Sequence, residues 1–117
     1  MSITKRDINI SQTINATVQN TVLFTYRVPA KSELKVTHFS NYIDVVAEWG
    51  DIVWRLTRNG VGIYPYDQIL DQIGIASDPR EIEPIIIRGG DEFTIYCDNN
   101  DVAVNVVCGI ALRYEVK

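Results

Sequence analysis

The dominant pattern along the chain is alternation of apolar and polar residues with period two, the signature of strands buried on one face. From Ile8 the even positions run Ile8, Ile10, Gln12, Ile14, Ala16 and Val18, whereas the odd positions from Asp7 to Thr17 are all polar. A second run places Val22, Phe24, Tyr26 and Val28 on one face, and Pro29-Ala30-Lys31-Ser32 then supplies a turn. Between Leu34 and Val46 the parity changes: Leu34 and Val36 are followed by Phe39, Ile43 and Val45. Such a switch marks either a bulge or a strand covered on both faces. Residues 51–58 recover the alternation, with Ile52, Trp54 and Leu56 on the inner face.

Asn59-Gly60 is the strongest local signal. Asn-Gly between alternating segments predicts a two-residue type I′ hairpin, because both central residues need positive φ. The register follows: Arg58 faces Val61, and Leu56 faces Ile63. Residues 66–73 depart from the strand pattern. Ile69, Leu70 and Ile73 have helical spacing and Gly74 is a stop signal, so a short helical insertion is expected there. Strands resume over 82–88, 92–98 and 102–116. Gly109 interrupts the outer face of the last one, where a bend is expected.

Eight strands with one helical insertion predict a single all-β domain, an eight-stranded jelly-roll β-sandwich. In its usual lettering the strands are B (8–18), C (21–28), D (34–46), E (51–58), F (61–66), G (82–88), H (92–98) and I (102–116), in sheets BIDG and CHEF. Only E and F are consecutive strands that pair within a sheet, and they are the pair that Asn-Gly joins. The stretch "IIIRGGDEFTIYC", residues 85–97, then has two structural readings: a hairpin pairing Arg88 with Asp91, or a corner carrying the chain from one sheet to the other. It lacks the Lys-Ser/Thr of a phosphate-binding loop. The spacing of antibody domains is also missing, since both Trp precede both Cys.

Length and composition narrow the classes further. The chain has 117 residues, room for one domain with a real core, and 46% of them are hydrophobic. A net charge of −4 with scattered basic residues argues against binding nucleic acid. No apolar run approaches the ~20 residues of a membrane span, and "MSITKRDINISQ" has no apolar core of a secretory signal. Cys97 and Cys108 are expected as reduced, buried hydrophobes on strands in opposite sheets. The Asn9-Ile10-Ser11 and Asn15-Ala16-Thr17 sequons are read as accidental.

Chemistry-bearing residues are sparse. His38 is the only histidine, too few for the metal of a cupin-like jelly roll. Ser40, His38 and Asp44 are a formal triad without a nucleophile-elbow motif. Asp98-Asn99-Asn100-Asp101 sets oxygen ligands at short spacing but lacks the Gly and distant Glu of an EF-hand loop, so a turn is favoured over a calcium site. These residues imply no catalytic centre, metal or cofactor. Trp54 has core parity, whereas Trp49, Tyr64, Tyr66 and Tyr96 are placed for exposure, as a protein interface or a sugar-binding platform requires.

"TYRVPAKSELKVTHFSNYID", "WRLTRNGVGI" and "EPIIIRGGDEFTIYCDNN" resemble small jelly-roll structural proteins of tailed bacteriophages, above all head-decoration (cement) proteins. The resemblance covers most of the chain. It implies a non-enzymatic virion protein on the capsid surface, made in the host cytoplasm. It further implies self-association, often as a homotrimer, and contact with the major capsid protein. Residues 1–7 are then expected as an N-terminal arm. Ile3, Lys5, Arg6, Trp49, Tyr64 and Tyr66 are the expected interface residues. A carbohydrate-binding module is the competing expectation.

Overall fold

The Asn59-Gly60 turn forms as the pattern requires. In the computed structural model, which describes residues 3–117, both residues have positive φ (51° and 82°), and Arg58 pairs with Val61. The Ile63 N–H donates to the Leu56 carbonyl at 2.8 Å, which completes the expected register. This hairpin joins β4 (Ile52–Arg58) to the two-residue β5 (Val61–Gly62). The remaining strands are β1 (Thr4–Ile14), β2 (Thr21–Arg27), β3 (Glu33–Ile43), β6 (Arg80–Arg88), β7 (Glu92–Asn99) and β8 (Val106–Val116). They form two four-stranded sheets, ordered β1-β8-β3-β6 and β2-β7-β4-β5, with antiparallel neighbours throughout. These orders are BIDG and CHEF of the jelly roll. The core lies between them: Leu34, Phe39, Ile87, Ile110 and Leu112 from one sheet meet Trp54, Leu56, Phe93 and Ile95 from the other.

The parity switch in β3 is a bulge. Against β8, Val36 and His38 face the consecutive residues Tyr114 and Arg113, so Thr37 is the extra residue and Phe39 turns inward after Val36; against β6 the same step runs from Ile85 to Glu81, so there the extra residues lie in β6. A second bulge corrects the face expected for β2. Register shifts between Val22 and Phe24, which buries Leu23 and leaves Val22 46% exposed.

The helical insertion expected at residues 66–73 does not form. The only helical turn is a short 3-10 segment, Val46–Glu48, among the described residues. β5 is too short to satisfy the free edge of β4, and the next segment does so instead. The Leu56 N–H donates to the Tyr66 carbonyl at 3.0 Å, and Trp54 exchanges two backbone bonds with Ile69. Asn41 holds the end of the segment: its Oδ1 accepts from Ile73 N at 2.6 Å and its Nδ2 donates to the Asp71 carbonyl at 3.1 Å. A helix of two turns is marginal in water, and the sheet edge offered the backbone better partners.

The last strand also starts later than expected. Val102 is 85% exposed, because Asp101 Oδ1 accepts from the N–H groups of Ala103 and Val104 and turns the chain before β8 begins. At the other end, Thr4 to Asp7, expected as part of an arm, pair with Arg113–Val116 as the start of β1. Met1 and Ser2 of that arm lie outside the described residues.

The Arg88–Asp91 stretch is a corner, since β6 and β7 lie in opposite sheets. Its two glycines serve different needs. Gly90 takes φ of +90° and donates to the Val28 carbonyl at 2.8 Å. Gly89 packs so closely on the Pro29–Ser32 turn that a Cβ would lie 2.8 Å from the Pro29 carbonyl oxygen.

Candidate functional site

A four-stranded sheet has two open edges, and β5 and β6 are edges of the two sheets. Between them lies a groove of about 600 Å³, lined on its apolar side by Val61, Ile63, Tyr64, Tyr66, Pro84 and Ile86. Arg58, Asn59 and Glu83 also line it and supply polar groups. Tyr64 is 87% exposed, Val61 70% and Ile86 41%, an apolar surface without cover in the single chain.

Local sequence explains why this surface stays open. In β6, Ile85 and Ile87 point inward and are buried, so Ile86 between them must point out. Pro84 sits in the same strand and lacks an N–H, which confines it to an edge. Beyond β5, Pro65 follows Tyr64 through a cis peptide bond. A proline on each edge blunts strand addition by another chain. The groove is therefore suited to receive side chains rather than an extra strand.

The polar end is held by charge and hydrogen bonds. Arg58 Nε lies 3.0 Å from Asp91 Oδ2, and Asn59 Nδ2 donates to Asp91 Oδ1 at 3.0 Å. The hydrogen bond from the Asn59 amide, together with the Arg58 guanidinium, holds the Asp91 carboxyl below its usual value. Asn59 Oδ1 also accepts from the Glu92 N–H at 2.9 Å, so one side chain ties the hairpin tip to the corner.

The expected interface residues separate into three places. Tyr64 and Tyr66 lie in the groove. Ile3, Lys5 and Arg6 are exposed at the start of β1, the opposite edge of its sheet. Trp49 is half-buried, its ring 5.4 Å from that of Trp54, and belongs to the flank of the core. Tyr96 is also half-buried, with the Arg55 guanidinium 5.0 Å from its ring centroid. Val61, Pro84 and Ile86 were absent from the expectation. Their signals were a proline within a strand and an Ile-Ile-Ile run that must expose its middle member.

The chain matches no known family model, and no curated protein matches it in sequence.

The other candidate chemistry resolves as follows. His38 Nδ1 lies 2.9 Å from Thr37 Oγ1, the buried Ser40 hydroxyl has no hydrogen-bond partner, and Asp44 Oδ1 accepts from Val107 N at 2.9 Å. The three residues do not form a triad. Cys97 and Cys108 are free and fully buried. The neighbouring Cys108 thiol, then burial, push the Cys97 thiol far above its usual value, so it stays neutral. The Asp98–Asp101 tetrapeptide does not converge on one point. Asp98 pairs with Arg55 at 3.1 Å and accepts from Asn20 N at 2.6 Å. Asn99 turns inward to bond backbone groups.

Proposed function

We propose that the protein is a non-enzymatic structural component of a phage virion, a capsid-decoration protein that self-associates and bridges subunits of the major capsid protein. The observation that carries this reading is the uncovered groove between β5 and β6, with Val61, Tyr64 and Ile86 exposed on two proline-blunted edges. Aromatic and aliphatic anchors beside an arginine are the composition of interface hot spots. A rigid body with this groove on one side, and exposed Ile3, Lys5 and Arg6 on the opposite edge, has a contact for each of two neighbours. Two contacts on one body give cementing its mechanism. Once one is made, the second becomes intramolecular, and binding favours the assembled shell by mass action.

The test adds purified protein to bare capsids of the phage that encodes it and follows thermal rupture. The wild-type chain is expected to bind and raise the rupture temperature, and Tyr64→Glu to lose most of that gain. Mass photometry of the free protein checks the expected trimer. No binding and no shift would sink the proposal.

The two tyrosines favour one second reading, a carbohydrate-binding module that stacks a sugar ring in the same groove. Trp49 does not contribute to it, being packed against Trp54. Glycan-array binding by the monomer, abolished by Tyr64→Ala, would select this reading over the first.

A further inference from the structure

Two loops meet at one end of the sandwich. The β3–β4 loop carries the Val46–Glu48 turn and then Asp51, and the β7–β8 loop carries Asp101. The backbone fixes their meeting. Ile52 pairs with Asn99, and the Asn100 N–H donates to the Asp51 carbonyl at 2.9 Å. The Thr17 N–H donates to the Asp101 carbonyl at 2.9 Å. Glu48, Asp51 and Asp101 each present a carboxylate oxygen, and these oxygens lie within 4.8 Å of one another.

Clustered acids alone are common on surfaces; a second observation separates this cluster from them. Glu48 is only 8% exposed, and its Oε2 is buried with no hydrogen-bond partner. Its carboxyl faces Asp101 and Asp51, each close enough to raise the Glu48 pKa, Asp101 the more strongly. None of the ion pairs among the described residues reaches any of the three. A carboxylate held out of water against two others, with no donor, lacks a positive partner.

We propose that Glu48, Asp51 and Asp101 form a binding site for a divalent cation, calcium. The donors are all oxygen, which suits a hard cation and not zinc, whose sites draw on His and Cys. Calcium holds its ligands at about 2.3–2.6 Å, so two oxygens across one ion stand up to about 5 Å apart, and oxygens within 4.8 Å of one another can share one ion. Magnesium, at about 2.0–2.1 Å and rigidly octahedral, fits a trio drawn from two loops less well. Asp101 Oδ1 already accepts from the Ala103 and Val104 N–H groups at 2.7 and 2.9 Å, which orients its second oxygen for the ion. Water completes the coordination on the side of the exposed Asp51. The bound ion clamps the β3–β4 loop to the β7–β8 loop. This site is remote from the β5–β6 groove and does not depend on its role.

The rival occupant of the same atoms is a proton shared by Glu48 and Asp101, and the experiment separates the two. The full chain, stripped with EDTA, is titrated with calcium chloride by calorimetry and by thermal unfolding. Terbium luminescence sensitised by Trp49, the residue next to Glu48, reports the site directly. Saturable binding of one calcium is expected, with Kd on the order of 10⁻⁴ M, a melting temperature that rises to a plateau, and magnesium at least tenfold weaker. Glu48→Gln and Asp51→Asn are each expected to weaken binding tenfold or more. Asp51 is exposed, so Asp51→Asn keeps the test sound should the buried Glu48→Gln fail to fold. No saturable binding up to about 10 mM calcium, or wild-type affinity in Asp51→Asn, overturns the proposal. Stabilisation by acid alone, without response to calcium, assigns the atoms to the shared proton and overturns it equally.

Discussion

Asn99→Ala should be among the most damaging single changes in the molecule, although Asn99 supplies no group to either candidate site. Asn99 is fully buried at the end of β7. Its Nδ2 donates to the Ile14 carbonyl at 3.0 Å and the Val104 carbonyl at 2.9 Å, and its Oδ1 accepts from Asp101 N at 3.0 Å. One amide thus joins the end of β1 in one sheet, β7 in the other, and the loop that leads into β8. Alanine leaves two carbonyls and one N–H without partners. A buried polar group left unsatisfied costs about 1–3 kcal/mol, and one that water can reach costs nearer the ~1 kcal/mol of an ordinary bond. Taking about 2 for the buried Ile14 carbonyl and about 1 or less for each of the others gives about 3–4 kcal/mol, a large part of the ~5–15 kcal/mol that holds a domain folded. With 117 residues and ~2.1 cal/mol/K of unfolding entropy per residue, the melting temperature should fall by about 12–16 °C. Thermal and urea unfolding followed by fluorescence of the buried Trp54 measure it. Asn100→Ala is the control: that amide is exposed, its Oδ1 accepts one bond from Gln19 Nε2 at 2.7 Å, and its loss should stay within ~0.5 kcal/mol. If the two variants were equally stable, Asn99 would not be the link between the sheets that its hydrogen bonds describe.

Two further outcomes are expected. Gly109→Ala should cost about 1–3 kcal/mol, since the new Cβ would lie 2.1 Å from Tyr42 Cζ, and most of the loss should return when Tyr42→Ala is added; a double-mutant cycle without coupling refutes the contact. The Asp91 carboxyl is held below its ordinary 3.8, so its contribution to stability is complete above that pH and is lost as the pH falls through the lower folded value. Asn59→Ala should move the Asp91 pKa back up toward 3.8, as read by NMR titration, and an unchanged value would show that the amide is not the main cause.

Much of the fold was legible because each strand writes its own inward face. The Asn59-Gly60 turn added the one long-range statement the chain makes locally, by naming the consecutive pair that shares a sheet. What stayed hidden was set by backbone groups elsewhere in the sequence. Ile69, Leu70 and Ile73 carry a helical spacing, but nothing near them reveals that β4 has an unpaired edge or that Asn41 will bond Asp71 and Ile73. The Val22–Leu23 exchange of faces has the same origin: a bulge arises from pairing with β7, and either face of the isolated segment reads plausibly. Gly109 shows a residue whose type was legible and whose reason was not. It makes room for the Tyr42 ring, whose hydroxyl reaches from β3 over β8 to donate to Asn9 Oδ1 of β1 at 2.7 Å.

The candidate sites divide along the same line. Tyr64 and Tyr66 announce themselves as aromatics placed for exposure, yet the groove exists only because jelly-roll topology brings the edges β5 and β6 to one side. Glu48, Asp51 and Asp101 carry no motif, because the geometry that gathers them is the ladder between β4 and β7, which sets Ile52 opposite Asn99. The Gly89-Gly90 pair makes the converse case. Its composition invited a phosphate-binding reading, but the space such a loop would keep for a ligand is occupied by the Pro29–Ser32 turn. In a sandwich built from crossing connections, glycines at a corner are placed by what the chain packs against, and function is to be sought where the topology leaves an edge or a loop pair unfinished.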